Sequence, residues 1–159
     1  MMNLCSDVLR SLKGKTLATA ESCTGGGIGA ALTAVAGASK VFVGGVISYT
    51  DDIKHRVLGV DQAVLDKHGA VSSPVAGAMA SGVRKLMQSD VAVSVTGLAG
   101  PGGDDFGNPV GTVCIGYADR HQTLAKKYRF YGDRDDIRQQ ATKAALELIL
   151  EVRNEKTDP

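Results

Sequence analysis

The chain has 159 residues, about the length of one domain, and its 43% hydrophobic and 22% charged residues are ordinary for a soluble globular protein. A net charge of +1 creates no field that would attract nucleic acid, and 4% aromatic residues with no Trp disfavour stacking on single strands. We therefore expect one domain over residues 1–159, without a nucleic-acid partner. The sequence shows neither a signal peptide nor a membrane-spanning run, so we expect no membrane partner.

The cysteines and histidines point away from disulfides and metals. Cys5, Cys23 and Cys114 are scattered and odd in number, which favours free thiols in a reducing compartment. No CxxC occurs and the three histidines are isolated, so we expect no metal site. These features predict a cytoplasmic protein.

Apolar spacing and turn residues predict the elements in chain order. They are a helix over 4–12, a strand over 16–21, a helix over 26–35, a largely buried strand over 41–50, helices over 51–58, 60–68 and 74–89, a strand over 90–97, two strands over 112–119 and 122–130, and a helix over 133–154. Ser73 is the expected N-cap of the helix that continues with Pro74.

This order predicts a three-layer α/β/α sandwich with a mixed, mostly parallel sheet and a C-terminal antiparallel hairpin. Ligands of such folds lie at the carboxyl ends of the parallel strands. Three polar clusters stand at those predicted ends: Ser22–Thr24, Ser48–Thr50 and Thr96–Gly97. We expect them to meet at one edge of the sheet and to form a site there.

The glycine-rich turn after the first strand is open to a nucleotide-binding interpretation. Gly25, Gly27 and Ala30 satisfy the GxGxxG/A spacing between a strand and a helix, and Asp51 and Asp52 follow the next strand, where a ribose-binding acid would stand. The polar cluster before the glycines argues against a dinucleotide. A single phosphate at the helix N-terminus is a further possibility.

The same turn is also typical of a nucleophile. Ser22 would point its hydroxyl into the cleft, and the amides that follow it would form an oxyanion hole. Lys54 would serve as the base if apolar surroundings lower its pKa, with Tyr49 relaying a proton or orienting the hydroxyl.

Six motifs occur in order along the chain: "AESCTGG", "GGVISYTDDIKHRVLGV", "HGAVS", "TGLAGPGG", "NPVGTV" and "GDRDDIRQQA". With them the chain, from about Thr16 to Leu150, closely resembles the CinA C-terminal domain family of the nicotinamide-nucleotide amidase (NMN deamidase) type. The resemblance implies hydrolysis of nicotinamide mononucleotide to nicotinic acid mononucleotide and ammonia, in pyridine-nucleotide recycling and without a cofactor. Larger relatives carry an extra N-terminal domain, so we expect a stand-alone form.

The resemblance also assigns residues. It places the catalytic serine, tyrosine and lysine on Ser22, Tyr49 and Lys54. Together with the position of the turn, this predicts that amides of Thr24–Gly26 hold the oxyanion. Arg134 and Arg138, spaced i,i+4, are expected near the site, where their planar guanidinium groups would suit the 5′-phosphate.

One stretch departs from the family pattern, because Thr50-Asp51-Asp52 stands where many relatives show a serine-asparagine-glutamate run. We expect this difference to tune ribose contacts. The loop over Leu98–Pro109 is long and glycine-rich, as binding loops are. Amides from Thr96 and Gly97 to Gly100 are expected to hold substrate, and Asp104 and Asp105 to reach the ribose.

Three further expectations complete the sequence-based picture. Cys23 is expected to be a buried packing residue rather than a nucleophile. A homodimer or larger oligomer is expected, because the small-residue helix over Val75–Met87 suits close packing. The alternative to the amidase is a non-catalytic nucleotide-binding or regulatory module, favoured by the glycine turn and by the fusion of this domain to others in relatives.

Overall fold

The computed structural model describes residues 1–157, and in it five strands form one sheet between two layers of helices. The elements in chain order are α1 (Met2–Ser11), β1 (Leu17–Glu21), α2 (Gly27–Thr33), a 3₁₀ turn (Ala38–Lys40), β2 (Phe42–Ile47), α3 (Asp51–Arg56), α4 (Gln62–His68), α5 (Ser73–Met87), β3 (Val91–Gly97), β4 (Thr112–Ala118), β5 (Thr123–Arg129) and α6 (Arg134–Thr157).

The sheet has the strand order β2-β1-β3-β4-β5. The central strand β1 pairs in parallel with β2 and β3, whereas β3–β4 and β4–β5 are antiparallel. Four strands therefore run in one direction and β4 runs in the other, which confirms the mixed sheet and the C-terminal hairpin.

The register of β1 brings the three polar clusters to one edge. Glu21, the last residue of β1, is paired with Ile47 on one side and with Val95 on the other. The residues after Glu21 and Ile47 and at the end of β3 consequently emerge side by side. The convergence that the sequence predicts is confirmed.

Hydrophobic clusters lie between the sheet and the helices on both faces. On one face of the sheet α1, α2 and α6 pack around a cluster that includes Leu12, Ile28 and Leu148. On the other face α5 contacts all five strands and contributes Val75, Met79 and Val83 to a second cluster. Within residues 1–157, no helix is both long enough and apolar enough to cross a bilayer.

The small residues of α5 serve packing within the chain. A Cβ added at Gly82 would lie 1.9 Å from the Leu58 carbonyl oxygen, so the chain after α3 passes directly over the α5 backbone. A Cβ on Gly116 of β4 would lie 2.2 Å from the Ala76 carbonyl oxygen. The small-residue surface that suggested an oligomer is thus used inside the fold, and the oligomeric state stays a prediction.

Two local expectations are wrong. The strand predicted over 41–50 is β2, which is shorter and lies at the sheet edge, so Val43 and Ile47 are 49% and 57% exposed. Only the edge position, set by tertiary pairing, makes this β-rich run half exposed. The N-cap of α5 is Ser72, whose side chain accepts from the Val75 amide, while Ser73 begins the helix.

Candidate active site

Glu21 stabilises the glycine-rich turn after β1 by hydrogen bonds. Its carboxylate, 2% exposed, accepts hydrogen bonds from Thr24 Oγ1 at 2.7 Å, the Ile28 amide at 2.8 Å and the Gly29 amide at 3.1 Å. A protein carboxylate therefore already occupies the first amides of α2, where a bound phosphate would have to sit. The structure supports neither the dinucleotide nor the single-phosphate interpretation of this turn.

Ser22 and Lys54 form the centre of the site. Ser22 follows β1 directly, and Lys54 projects from α3, a helix capped by Thr50, whose side chain accepts from the Ile53 amide. Lys54 Nζ lies 3.0 Å from Ser22 Oγ, and the two residues are 1% and 7% exposed. The fold thus brings together two residues that are 32 positions apart in the sequence.

Backbone carbonyls complete the surroundings of the Lys54 amine. Nζ donates to the Ser48 carbonyl at 2.8 Å and to the Tyr49 carbonyl at 3.3 Å. Nζ also donates to Ser22 Oγ, so its three acceptors are two carbonyls and one hydroxyl. Loss of one proton from the ammonium, with both carbonyl hydrogen bonds kept, would leave the nitrogen lone pair facing the Ser22 hydroxyl.

Burial sets the protonation of Lys54. Removal from water lowers the pKa of its ammonium below the usual value, while the nearby Asp51 carboxylate and Cys23 oppose that effect. The cations next to Lys54 in the sequence, His55 and Arg56, make no contribution to this lowering of the pKa. Arg56 instead faces Asp52 in an exposed ion pair at 2.8 Å, and His55 Nδ1 lies 2.7 Å from the Val60 carbonyl oxygen.

Tyr49 contributes its backbone to the pair and its side chain to an arginine. The side chain is 59% exposed, and its phenol oxygen accepts from Arg134 Nη2 at 3.1 Å. Its carbonyl oxygen, in contrast, lies 3.3 Å from Lys54 Nζ and 3.5 Å from Ser22 Oγ. The predicted proton relay through the phenol is therefore not supported, and the orienting role belongs to the carbonyl.

The two arginines of α6 have different positions. Arg134 borders the cavity and donates to the Gly100 carbonyl as well as to Tyr49. Arg138 donates to the Cys23 carbonyl at 3.0 Å and to the Thr24 carbonyl at 3.4 Å, and it does not border the cavity. Arg138 therefore holds the glycine-rich turn on the side away from the cavity, contrary to the expected phosphate contact.

A cavity of about 480 Å³ opens above the Ser22–Lys54 pair, within the usual range for ligand sites. The predicted substrate-binding residues Thr96, Gly97 and Gly100 line it. Its other lining residues include Ser22, Cys23, Tyr49, Asp51, Lys54, Asp104, Asp105, Phe106 and Arg134.

The predicted oxyanion donors do not lie at the cavity. Thr24, Gly25 and Gly26 do not border the cavity, and the Gly25 amide donates to the Ser22 carbonyl at 3.1 Å. Cys23 does border it, and among the described residues its amide donates to no backbone carbonyl and lies within reach of its own sulfur. The residue directly after Ser22 therefore offers a backbone donor at the cavity, the position that the oxyanion donor takes in strand-to-helix nucleophile turns.

The Cys23 side chain is a packing group. The residue is 6% exposed, and burial raises the pKa of its thiol to about 11. A Cβ added at Gly97 would lie 3.2 Å from Cys23 Sγ, so the thiol fills the space beside β3. A thiol that stays protonated is a poor nucleophile, in keeping with the sequence-based interpretation.

The loop over 98–109 is held in place by its own contacts. The Asp104 carboxylate accepts from the amides of Phe106 and Asn108 at 3.0 Å each and from the Asn108 side chain at 2.7 Å. A Cβ added at Gly69 would lie 2.6 Å from the Phe106 ring, so that ring packs on the segment before α5. Asp104, expected at the ribose, is largely engaged within the loop.

Three residues of this site take positions in the structure that the sequence did not predict. Glu21 looked like a strand end, although a Thr three positions later and a helix start six positions later are the signal of a capping carboxylate. Asp51 was assigned to ribose and Phe106 to no role. Within residues 1–157, no group of three His, Cys, Asp or Glu side chains converges closely enough to hold a metal ion.

The fold and the site define a three-layer α/β domain with a buried serine–lysine pair beside a cavity of ligand size. Residues 1–153 match the CinA C-terminal domain, and the chain belongs to that family.

Relatives of the chain carry CinA names. It is 55% identical over 119 residues to a CinA-like protein of Synechococcus sp. (strain CC9902), covering 74% of this chain and 28% of that protein. It is 50% identical over 137 residues to a CinA-like protein of Geobacter sulfurreducens, covering 86% and 33%. The chain therefore spans about a third of the length of these relatives.

Solved structures share the whole fold. The crystal structure of a competence-damaged protein (CinA) superfamily protein from Klebsiella pneumoniae 700603 matches with a TM-score of 0.94 and 36% identity, over 97% of this chain and 98% of that one. The competence/damage inducible protein CihA from Agrobacterium tumefaciens matches with a TM-score of 0.90 and 39% identity, over 96% and 94%.

Proposed function

We propose that this chain is a nicotinamide-nucleotide amidase, which hydrolyses the carboxamide of nicotinamide mononucleotide (NMN) to nicotinic acid mononucleotide and ammonia in pyridine-nucleotide recycling. The observation that carries the proposal is the 3.0 Å contact between Lys54 Nζ and Ser22 Oγ, two buried groups at the base of a cavity. The choice of substrate rests on the motifs that the chain shares with the amidase type of the family.

In the first half-reaction, neutral Lys54 accepts the Ser22 hydroxyl proton as Oγ attacks the carboxamide carbon. The Cys23 amide stabilises the negative oxygen of the tetrahedral intermediate. The Lys54 ammonium then protonates the departing nitrogen, the C–N bond breaks, and ammonia leaves an ester on Ser22.

In the second half-reaction, Lys54 deprotonates a water molecule that attacks the ester. The bond to Ser22 Oγ breaks, Oγ recovers a proton from Lys54, and the carboxylate product leaves. The net change is one amide and one water converted to one acid and one ammonia.

Arg134 is suited to the 5′-phosphate. It borders the cavity, and within residues 1–157 no carboxylate is ion-paired with it. Its present partners are the Gly100 carbonyl and the Tyr49 phenol, both neutral groups. A phosphate offers a charged, bidentate partner in their place.

Ammonia release from NMN tests the proposal. Ser22→Ala should abolish turnover and keep NMN binding, with Ser81→Ala on α5, outside the cavity, as the matched control. Lys54→Met should remove most activity and Lys54→Arg should not restore it, since a guanidinium stays protonated. Substantial turnover by Ser22→Ala would overturn the covalent mechanism and indicate direct attack by water.

Calorimetry separates the amidase from the regulatory alternative. A folded wild-type chain that binds NMN, NAD or ADP-ribose without releasing ammonia from NMN would be a nucleotide-binding module. Binding of NMN together with turnover would support the enzyme.

A further inference from the structure

The cavity of Ser22 and Lys54 carries more negative than positive charge. Asp51, Asp104 and Asp105 border it, whereas Arg134 is its one permanently charged cation among the described lining residues. Lys54, the other basic group of the lining, is 1% exposed, and burial lowers the pKa of its ammonium. A purely anionic substrate would therefore meet an unfavourable field over much of this surface.

Two of these carboxylates are free to meet a ligand. Within the described part of the chain, Asp51 and Asp105 take part in no ion pair and their side chains in no hydrogen bond. Their neighbours are occupied, because Asp52 pairs with Arg56 at 2.8 Å and Asp104 binds its own loop.

The free carboxylates flank the reacting pair. Asp51 precedes Lys54 by three residues in α3, so both side chains lie on the same side of the helix. Asp105 belongs to the loop that forms another wall, beside the Phe106 ring, which is 51% exposed. Carboxylates on separate walls and an aromatic face suit a flat, delocalised organic cation better than a metal ion, for which the described residues form no three-ligand group.

We propose that the cavity selects carboxamides carried by a positively charged, N-substituted pyridine ring, with Asp51 and Asp105 as specificity-determining residues. The inference rests on the proposed amidase function and adds the residues that recognise the cationic ring of its substrate. The ring cation would lie between the carboxylates, while the phosphate would bind Arg134. Hydrolysis replaces the neutral amide by a carboxylate near Asp51, and the resulting repulsion favours product release.

The test compares NMN with reduced NMN, which has the same carboxamide, ribose and phosphate but a neutral dihydropyridine ring. The measured quantity is the ratio of kcat/KM for NMN to that for reduced NMN. Asp51→Asn and Asp105→Asn should each lower this ratio about three- to tenfold at low salt, and added salt should shrink the effect. Intrinsic reactivity of the two amides is the same for every variant and cancels in this comparison.

Asp52→Asn is the matched control, because it removes the same charge from the same first turn of α3 but lies outside the cavity. It should change the ratio less than about twofold. Ratios in Asp51→Asn and Asp105→Asn equal to that of Asp52→Asn would overturn the inference, although turnover of NMN would still support the amidase.

If no ammonia is released, measurements of ligand binding still test the selection of a cationic ring separately from the amidase function. Calorimetry then gives the ratio of the dissociation constants of reduced NMN and NMN for the same variants. A ratio that falls in Asp51→Asn and Asp105→Asn supports cation selection in a chain whose amidase function has failed. A ratio that none of the substitutions changes overturns cation selection as well.

Discussion

Replacement of Lys54 by Met tests protonation at the centre of the site without any substrate. Lys54 is 1% exposed, and burial lowers the pKa of its ammonium in the folded chain. Met has a similar length and no charge, so the substitution removes the titrating group and retains most of the packing. The free energy of unfolding of the two proteins should therefore depend differently on pH.

The sign follows from proton counting. A lysine in the unfolded chain has a pKa of about 10.4, and the pKa of Lys54 in the folded chain is lower. At pH values between the two, the unfolded chain therefore binds more protons than the folded chain. Stability of the wild type relative to Lys54→Met should then rise with pH, by up to about 1.4 kcal/mol per pH unit. Below the folded pKa the relative stability is constant at its lowest value, and above about 10.4 it is constant at its highest.

Urea unfolding between pH 7 and pH 10 measures this difference, with exposed Lys85→Met as the control that should show no comparable slope. The wild-type kcat/KM for NMN should increase with pH through the same folded pKa, since only the neutral amine accepts a proton. A stability difference that does not change over this pH range would show that Lys54 keeps an ordinary pKa. The base role in the proposed mechanism would then be refuted.

Three further substitutions separate the roles of residues around the pair. Tyr49→Phe should reduce kcat/KM less than about tenfold in steady-state kinetics, because the Tyr49 phenol contacts Arg134 rather than Ser22. A larger loss would be evidence for a proton relay through the phenol. Arg134→Gln should raise KM at least about tenfold for NMN and should leave KM for the phosphate-free riboside unchanged. An equal rise in KM for both substrates would contradict the phosphate role of Arg134. Glu21→Gln should lower the free energy of unfolding by about 1–3 kcal/mol in urea titrations, and an unchanged midpoint would deny its capping role.

Local sequence signals determined most of the fold and the chemistry of the centre. Alternating valines, glycine stops and amphipathic spacing identify the order of strands and helices, because these patterns depend on neighbours along the chain. The position of polar residues at or directly after strand ends located Ser22, Thr96 and Gly97 at one edge. The family motifs paired Ser22 with Lys54, which the fold places 3.0 Å apart.

Tertiary structure alone decided which backbone and side-chain groups face the cavity. The strand order made β2 an edge strand. The packing of α6 placed Arg134 at the cavity and Arg138 against the carbonyls of the glycine-rich turn, away from the cavity. Glu21 accepts hydrogen bonds at the N-terminus of α2, where the glycine spacing predicted a possible phosphate site. Hydrogen-bond partners and burial depend on residues distant in sequence, and the burial that lowers the Lys54 pKa exists only once the chain has folded.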